Sequence, residues 1–262
     1  MQIVTLTTDW GTKDFFAGMV KGKLYSAIPD VLVVDITHDI EQYNIMNTAF
    51  VVKNACLNFP KGTIHIIDVN SFFSLEKDIN YVVIEYNEQY FICADNKMPH
   101  AIFGDECTTI IEIATYWDSN FYNFVVYDLF CKVAALIANG TPLDEIGYRR
   151  KRLNQSQAIA PICDTNSIKA NVMYVDSYGN AYLNIKYEEF MAVAQNRPFK
   201  LMLQSGVHQL TELCSSYNEA KSNSDLVVTV SSTGYIQIAM KIASAEQLLN
   251  LKERDQVIII FN

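Results

Sequence analysis

Residues 2–36 read QIVTLTTDWGTKDFFAGMVKGKLYSAIPDVLVVDI, and this stretch decides the fold class. Two β-branched runs, QIVTLT at 2–7 and VLVVDI at 31–36, flank a segment from Asp14 to Ile28. Within it Phe15, Met19, Val20, Leu24 and Ile28 recur at helical spacing, so the whole is a β-α-β unit. The alternation continues with a second helix predicted over Ile45–Asn58, a turn at FPKGT (59–63) and a strand at Ile64–Asp68. Strands at Tyr81–Tyr86 and Tyr90–Ala94 are joined through Asn87-Glu88-Gln89, and a helix at Asp128–Asn139 ends at Gly140 with Pro142 beyond. The first part therefore reads as an α/β domain with a mostly parallel sheet.

After Arg149-Arg150-Lys151-Arg152 the pattern changes. Short strands are predicted at Lys169–Val175, Ala181–Ile185, Lys200–Gln204, Leu226–Val230, Tyr235–Met240 and Gln256–Phe261, with one helical stretch near Ala243–Leu249. The expected layout is an α/β nucleoside-binding domain over 1–155 and a C-terminal all-β, barrel-like domain over 165–262. The basic quartet reads either as an anion site or, more commonly for such a run, as a solvated face between domains.

With 262 residues, 50% hydrophobic and 19% charged, the chain has enough apolar content for a large core, which excludes a disordered or collagenous protein. A net charge of −9 works against binding to phosphate backbones or anionic lipid, so neither nucleic acid nor membrane is expected as a partner. The N-terminus lacks a basic segment followed by an apolar run, and no stretch approaches bilayer-spanning length; a soluble, cytoplasmic protein is predicted. Six cysteines stand singly without metal-ligand spacing, so no metal site is expected and buried free thiols are the reading.

In α/β sheets ligands bind beyond the carboxyl ends of strands. Four polar clusters fall there: Thr7-Thr8-Asp9-Trp10-Gly11, Asp35-Ile36-Thr37-His38, Asp68-Val69-Asn70-Ser71 and Ala94-Asp95-Asn96. A carboxylate such as Asp9 suits a ribose diol, and Gly11 permits a turn close to a ligand. Asp and Asn also cap helices and build turns, which leaves a purely structural reading open for each cluster. His38 has no partner visible in sequence and reads as a hydrogen-bonded turn residue; His65 lies inside a strand and reads as packing.

TLTTDWGTKDFFAGMVKGKL, VVDITHDI, FPKGTIHIIDV, ADN, DSYGN and SSTGYIQIA, in this order, resemble the S-adenosylmethionine hydroxide adenosyltransferase family, relatives of the fluorinating and chlorinating enzymes. The family pattern reads close to TDFG at the start and IVDITH some 25 residues on. The resemblance implies an N-terminal α/β domain, a C-terminal β-barrel and a homotrimer binding S-adenosylmethionine between subunits. It implies that Asp9 binds the ribose hydroxyls, that Asp176, Tyr178 and Asn180 contribute to the nucleoside and methionine pocket, and that Ser232 with the backbone up to Tyr235 closes it. Trp10, Asp95 and Asn96 complete the candidate ligand contacts.

The hydrolytic members activate water with Asp, Arg and His. The aspartate corresponds to Asp68, the one candidate catalytic residue, whereas the arginine falls on Leu75 and the histidine on Val125. The first arginine of the chain is Arg149, and Lys77 offers charge without the planar fork. Water needs a base or a strong electrostatic site to attack carbon. Two functions remain: an enzyme hydrolysing S-adenosylmethionine to adenosine and methionine, with little or no turnover expected, or a non-catalytic protein binding S-adenosylmethionine or adenosine. No cofactor is implied beyond S-adenosylmethionine as substrate or ligand. Halide transfer is a weaker third reading, since Asn70 to Ser74 offers few polar donors among phenylalanines.

Overall fold

The computed structural model describes residues 1–71, 79–107, 109–119, 123–157, 160–203, 209–222 and 225–262. Leu75, Lys77, Ser74 and the predicted strand end Gln204 lie outside the described residues. The chain divides into two compact units, Met1–Gln157 and Ala158–Asn262.

The first unit contains β1 (Gln2–Thr8), α1 (Phe16–Ala27), β2 (Val31–Thr37), α2 (Ile45–Ala55), β3 (Ile64–Asp68), β4 (Tyr81–Tyr86), β5 (Gln89–Ala94), α3 (Met98–Phe103), β6 (Thr109–Ile113), α4 (Cys131–Ala138), α5 (Leu143–Ile146) and β7 (Gly147–Arg149). A π-helical turn, Val126–Phe130, leads directly into α4. The sheet order is β2-β1-β3-β5-β4-β6-β7. Its β1, β2, β3 and β5 run parallel, but β4, β6 and β7 join through antiparallel pairs. The sheet is mixed, which corrects the expectation of a mostly parallel one. The cause is the tight β4–β5 hairpin, whose linking residues Asn87 and Glu88 both have positive φ, the mirror-image turn that suits the right-handed strand twist. The hairpin sets the direction of β4; β6 then runs against β4, parallel to β5, and β7 against β6.

Every residue of β3 is buried, as a central strand covered on both faces requires. On one side Leu6, Ile64 and Ile66 pack with Val20 and Leu24 of α1 and Val133 of α4. On the other, Ile67, Phe91 and Cys93 pack with Val52 of α2 and Met98 of α3. His65 belongs to the packing, as read from the sequence: its Nδ1 meets Thr5 Oγ1 at 2.7 Å, its ring stacks on Phe91 and burial pushes its pKa down to about 3. Gly147 is obligatory for a steric reason, since a Cβ there would lie 1.8 Å from the carbonyl oxygen of Glu112 on the neighbouring strand.

The second unit contains β8 (Ile162–Asp164), β9 (Ser167–Val175), β10 (Ala181–Lys186), α6 (Tyr187–Ala194), β11 (Phe199–Leu203), β12 (Gln209–Leu210), β13 (Leu213–Cys214), β14 (Leu226–Val230), β15 (Tyr235–Met240), α7 (Ala245–Leu249) and β16 (Gln256–Phe261). Its nine strands form one curled sheet, β12-β11-β16-β9-β10-β15-β14-β13 with β8 on β9, and among the described residues the end strands β12 and β13 do not pair with each other. It is a half-barrel rather than a closed one; α7 falls where a helical stretch was predicted, whereas α6 departs from the expected all-β character. Ile168, Leu183, Leu201, Ile236, Ile238 and Ile259 fill its core. The cysteines are free thiols among the described residues; Cys56, Cys93 and Cys131 are buried, whereas Cys163 is exposed, contrary to expectation. No described helix is long and apolar enough to cross a membrane.

The hairpin yields a direct test. A side chain in the left-handed region costs about 1 kcal/mol, and the only described ion pair of Glu88, with Lys61, is exposed and worth little. Glu88→Gly is expected to stabilise the protein by roughly 0.5–1 kcal/mol in urea denaturation; a loss of stability would show that the turn is not under left-handed constraint.

Candidate functional site

The site grows from the carboxyl ends of β1 and β3, where Thr8 and Asp68 pair across parallel strands. The loop after β1 is clipped to the loop after β2: the Gly11 amide donates to the His38 carbonyl at 2.7 Å and the Ile40 amide to the Thr8 carbonyl at 3.3 Å. Gly11 has φ +71°, a conformation open to glycine at no steric cost. Asp9 Oδ2 accepts a hydrogen bond from the Tyr43 amide at 3.1 Å. The loop after β3 is braced by Asn96, whose Nδ2 donates to the carbonyls of Val69 at 3.0 Å and Asn70 at 2.9 Å, and by the Tyr81 hydroxyl, which donates to the Ser71 carbonyl at 3.0 Å.

Between these loops lies a cleft of about 340 Å³. Asp68 sits in its wall, buried, with Oδ2 accepting the indole Nε1–H of Trp10 at 2.7 Å. Burial pushes its carboxyl up to about 6; hydrogen bonds from Trp10 and Ser71 oppose that, and the charge of Asp9 adds to it. A carboxyl near 6 is mostly ionised at neutral pH yet basic enough to take up a proton. Asp9 and Asp14 also line the cleft, with the aromatic faces of Trp10, Phe16 and Phe124. Among the described lining residues none is Lys, Arg or His. The cleft is thus anionic and aromatic, a combination that attracts a cation and repels an anion. No group of three or more metal-ligating side chains is assembled among the described residues.

Of the sequence candidates, Asp9, Trp10 and Asp68 come together in the cleft, and Val125, at the position of the family's histidine, lies beside them, buried and without titratable chemistry. Asn96 acts from behind as the brace described above. Asp95 does not line the cleft: its buried carboxylate accepts from the Asn154 amide at 3.0 Å and pairs with Arg150 at 2.9 Å, tying the basic quartet to the end of β5. Arg149 pairs with Asp144 at 2.7 Å, so two of the four basic residues hold carboxylates of this unit.

In the second unit Asp176 organises its own turn. Its carboxylate accepts from the amides of Tyr178 and Asn180, both at 2.9 Å, from Asn180 Nδ2 at 3.0 Å and from the Tyr182 hydroxyl at 3.2 Å. Asn180 is buried, and Tyr178 is 80% exposed. Ser232 is exposed in a turn closed by the Gly234 amide donating to the Ser231 carbonyl at 2.9 Å. The Tyr235 ring is buried beneath Lys186 Nζ, 3.9 Å from its centroid.

Sequence reasoning missed Asp14, Phe16, Gln42, Tyr43, Asn123 and Phe124 of the lining. Tyr43 had a detectable signal, since Asn44 caps α2 through the Asn47 amide and the residue before an N-cap enters from a loop at the same edge of the sheet. His38 does have a hydrogen-bond partner, Thr8 Oγ1 at 2.7 Å from its Nδ1, while its Nε2 lies 3.2 Å from Asp35 Oδ1 without hydrogen-bond geometry.

Residues 4–147 match the SAM hydroxide adenosyltransferase N-terminal domain and residues 170–258 the SAM hydroxide adenosyltransferase C-terminal domain. The chain is 26% identical to the (R)-S-adenosyl-L-methionine hydrolase of Methanocaldococcus jannaschii, covering 100% of this chain and 97% of that protein. It is 22% identical to the fluorinase of Actinopolyspora mzabensis, covering 96% and 94%. A crystal structure of an uncharacterized conserved protein from Thermotoga maritima superposes with a TM-score of 0.88 at 25% identity, over 99% of this chain and 100% of that one.

The raised carboxyl of Asp68 has a thermodynamic signature. The unfolded chain releases this proton near 3.8 and the folded chain near 6, so the folded state binds more protons in between. Stability from this group is present below about pH 4 and lost as pH rises through about 6, by up to roughly 3 kcal/mol. Asp68→Asn is expected to be more stable than the unaltered protein above about pH 6 and to converge with it in acid; parallel urea midpoints across that range would refute the assignment.

Proposed function

We propose that this chain, which belongs to the SAM hydroxide adenosyltransferase family, binds S-adenosylmethionine in the cleft at the carboxyl ends of β1 and β3 and hydrolyses it slowly at most. The observation that carries the reading is the charge of the cleft. S-adenosylmethionine presents a sulfonium and an ammonium, and Asp9, Asp14 and Asp68 with three aromatic faces offer these cations what adenosine alone cannot use. The same carboxylates disfavour a halide nucleophile, which argues for water over halide transfer.

In the hydrolytic step a water oxygen bonds to C5′ of the ribose while the C5′–sulfur bond breaks. Its electron pair stays on the sulfur of methionine, and a water proton passes to Asp68 and on to solvent. The sulfonium is a good leaving group, so alignment of water and C5′ supplies part of the rate. Asp68 supplies the base, but Val125 supplies no second proton-transfer group, and general acid–base catalysis is worth about 10²–10⁴-fold where it is present. The same valine favours the second reading, a protein that binds S-adenosylmethionine or adenosine without turnover. The proposal includes a homotrimer in which Asp176, Tyr178, Asn180, Ser232 and Tyr235 of a neighbouring subunit complete the pocket, on the family resemblance of those residues.

Calorimetry is expected to find S-adenosylmethionine bound more tightly than adenosine, with Asp9→Ala weakening binding by about 1.5–3 kcal/mol. Equal affinity for the two ligands, or no effect of the substitution, would overturn the cleft assignment. Chromatography is expected to show adenosine release well below about 1 s⁻¹, with the residual rate rising with pH through about 6 as Asp68 loses its proton. Release at that rate or faster would mean that another group activates the water. A monomeric mass in light scattering would remove the intersubunit pocket.

A further inference from the structure

We propose that Trp10 is a positioning residue for Asp68, its indole Nε1–H holding the carboxylate in a fixed orientation toward the ligand, a role that the phenylalanine of the family pattern has no donor to perform. The inference rests on the reading that Asp68 faces the ligand in the cleft. The ring that carries the donor is held on several sides. His38 stacks against it, with centroids 5.8 Å apart and planes 15° apart, and Phe124 meets it edge-on at 5.1 Å. Phe16 packs at 6.4 Å. His38 is itself anchored by the hydrogen bond between its Nδ1 and Thr8 Oγ1 at 2.7 Å, which ties the stack to the end of β1.

The physical need is clear from the surroundings of Asp68. No cation among the described residues lines the cleft, and Asp9 adds repulsion. Ser71 favours the charged form less than Trp10 does, and a buried carboxylate that loses its main donor takes up a proton more readily. The indole N–H is a single-purpose donor that never accepts, so it favours the charged form of Asp68 and fixes which oxygen remains engaged. The titratable groups that face Asp68 are Asp9 and Tyr81, with His38 on the far face of Trp10.

The test follows the carboxyl carbon of Asp68 by NMR in the full chain labelled at aspartate, assigned with Asp68→Asn. The unaltered protein is expected to titrate near 6. Trp10→Phe keeps the ring and deletes the donor, and the Asp68 midpoint is expected to rise by about one to two pH units, the worth of one hydrogen bond to a charged group. The pH profile of adenosine release, measured in single turnover, is expected to move with it, a displacement that mere loss of folded protein would not produce. An unmoved midpoint would overturn the role of Trp10 whether or not the protein turns over S-adenosylmethionine. Absence of S-adenosylmethionine binding with a moved midpoint would instead sink the functional reading and leave the Trp10–Asp68 pair standing. Should Trp10→Phe fail to fold, the indole N–H resonance of Trp10, assigned with Trp117→Phe, decides: it is expected to titrate with Asp68 and to lose that titration in Asp68→Asn, and a resonance indifferent to pH would overturn the proposal.

Discussion

A carboxylate at the end of a strand buried on both faces is the constraint on which the first unit depends. β3 can be central only if every side chain along it is covered, and Asp68 is its last residue. The burial that makes the strand stable also removes the carboxyl from water. What surrounds it compensates: an indole donor from the β1 loop, and a β3 loop tied by Asn96 and Tyr81 to the start of α3 and to β4. Fold and site are therefore one arrangement, since the loops that shape the cleft are the same loops that satisfy the polar end of the central strand.

Much of this could be read from the chain because β-branched runs and turn chemistry are local. β3, β4, β14, β15 and β16 have the bounds that alternation and turn residues predict, and the other predicted strands shift by one or two residues. The sheet direction was not local. Asn87-Glu88-Gln89 announces a hairpin, but that β6 and β7 then pair on its far side is a long-range choice with no signal in any window. α6 escaped because Tyr187–Ala194 follows β10 without a break, its start marked only by Glu189 accepting from the Lys186 amide and its end by Gln195 and Asn196 in the left-handed region. Boundaries set by side-chain capping and by positive φ at non-glycine residues lie below what composition reveals.

The site was legible as a set of positions at one edge of a sheet, but the roles within it were not. Asp9 and Asp95 look alike as carboxylates after strands, yet one lines the cleft and the other is neutralised by Arg150. Only the fold separates them, because the partner of Asp95 arrives from more than 50 residues away. The same distance hides the engagement of Trp10 with Asp68, which no spacing rule would join.

The position of β1 carries a consequence for how the chain acquires its structure. β1 lies inside the sheet, with β2 on one side and β3 on the other. β3 begins at Ile64, so β1 waits for its second partner through more than 50 residues of synthesis, roughly 3–11 s on the ribosome. Until β3 is made, the inner edge of β1 has no partner, and an unpaired strand edge is the kind that recruits a strand from another chain. Pairing between chains during synthesis, more than unfolding of the finished protein, is the aggregation hazard that this topology creates.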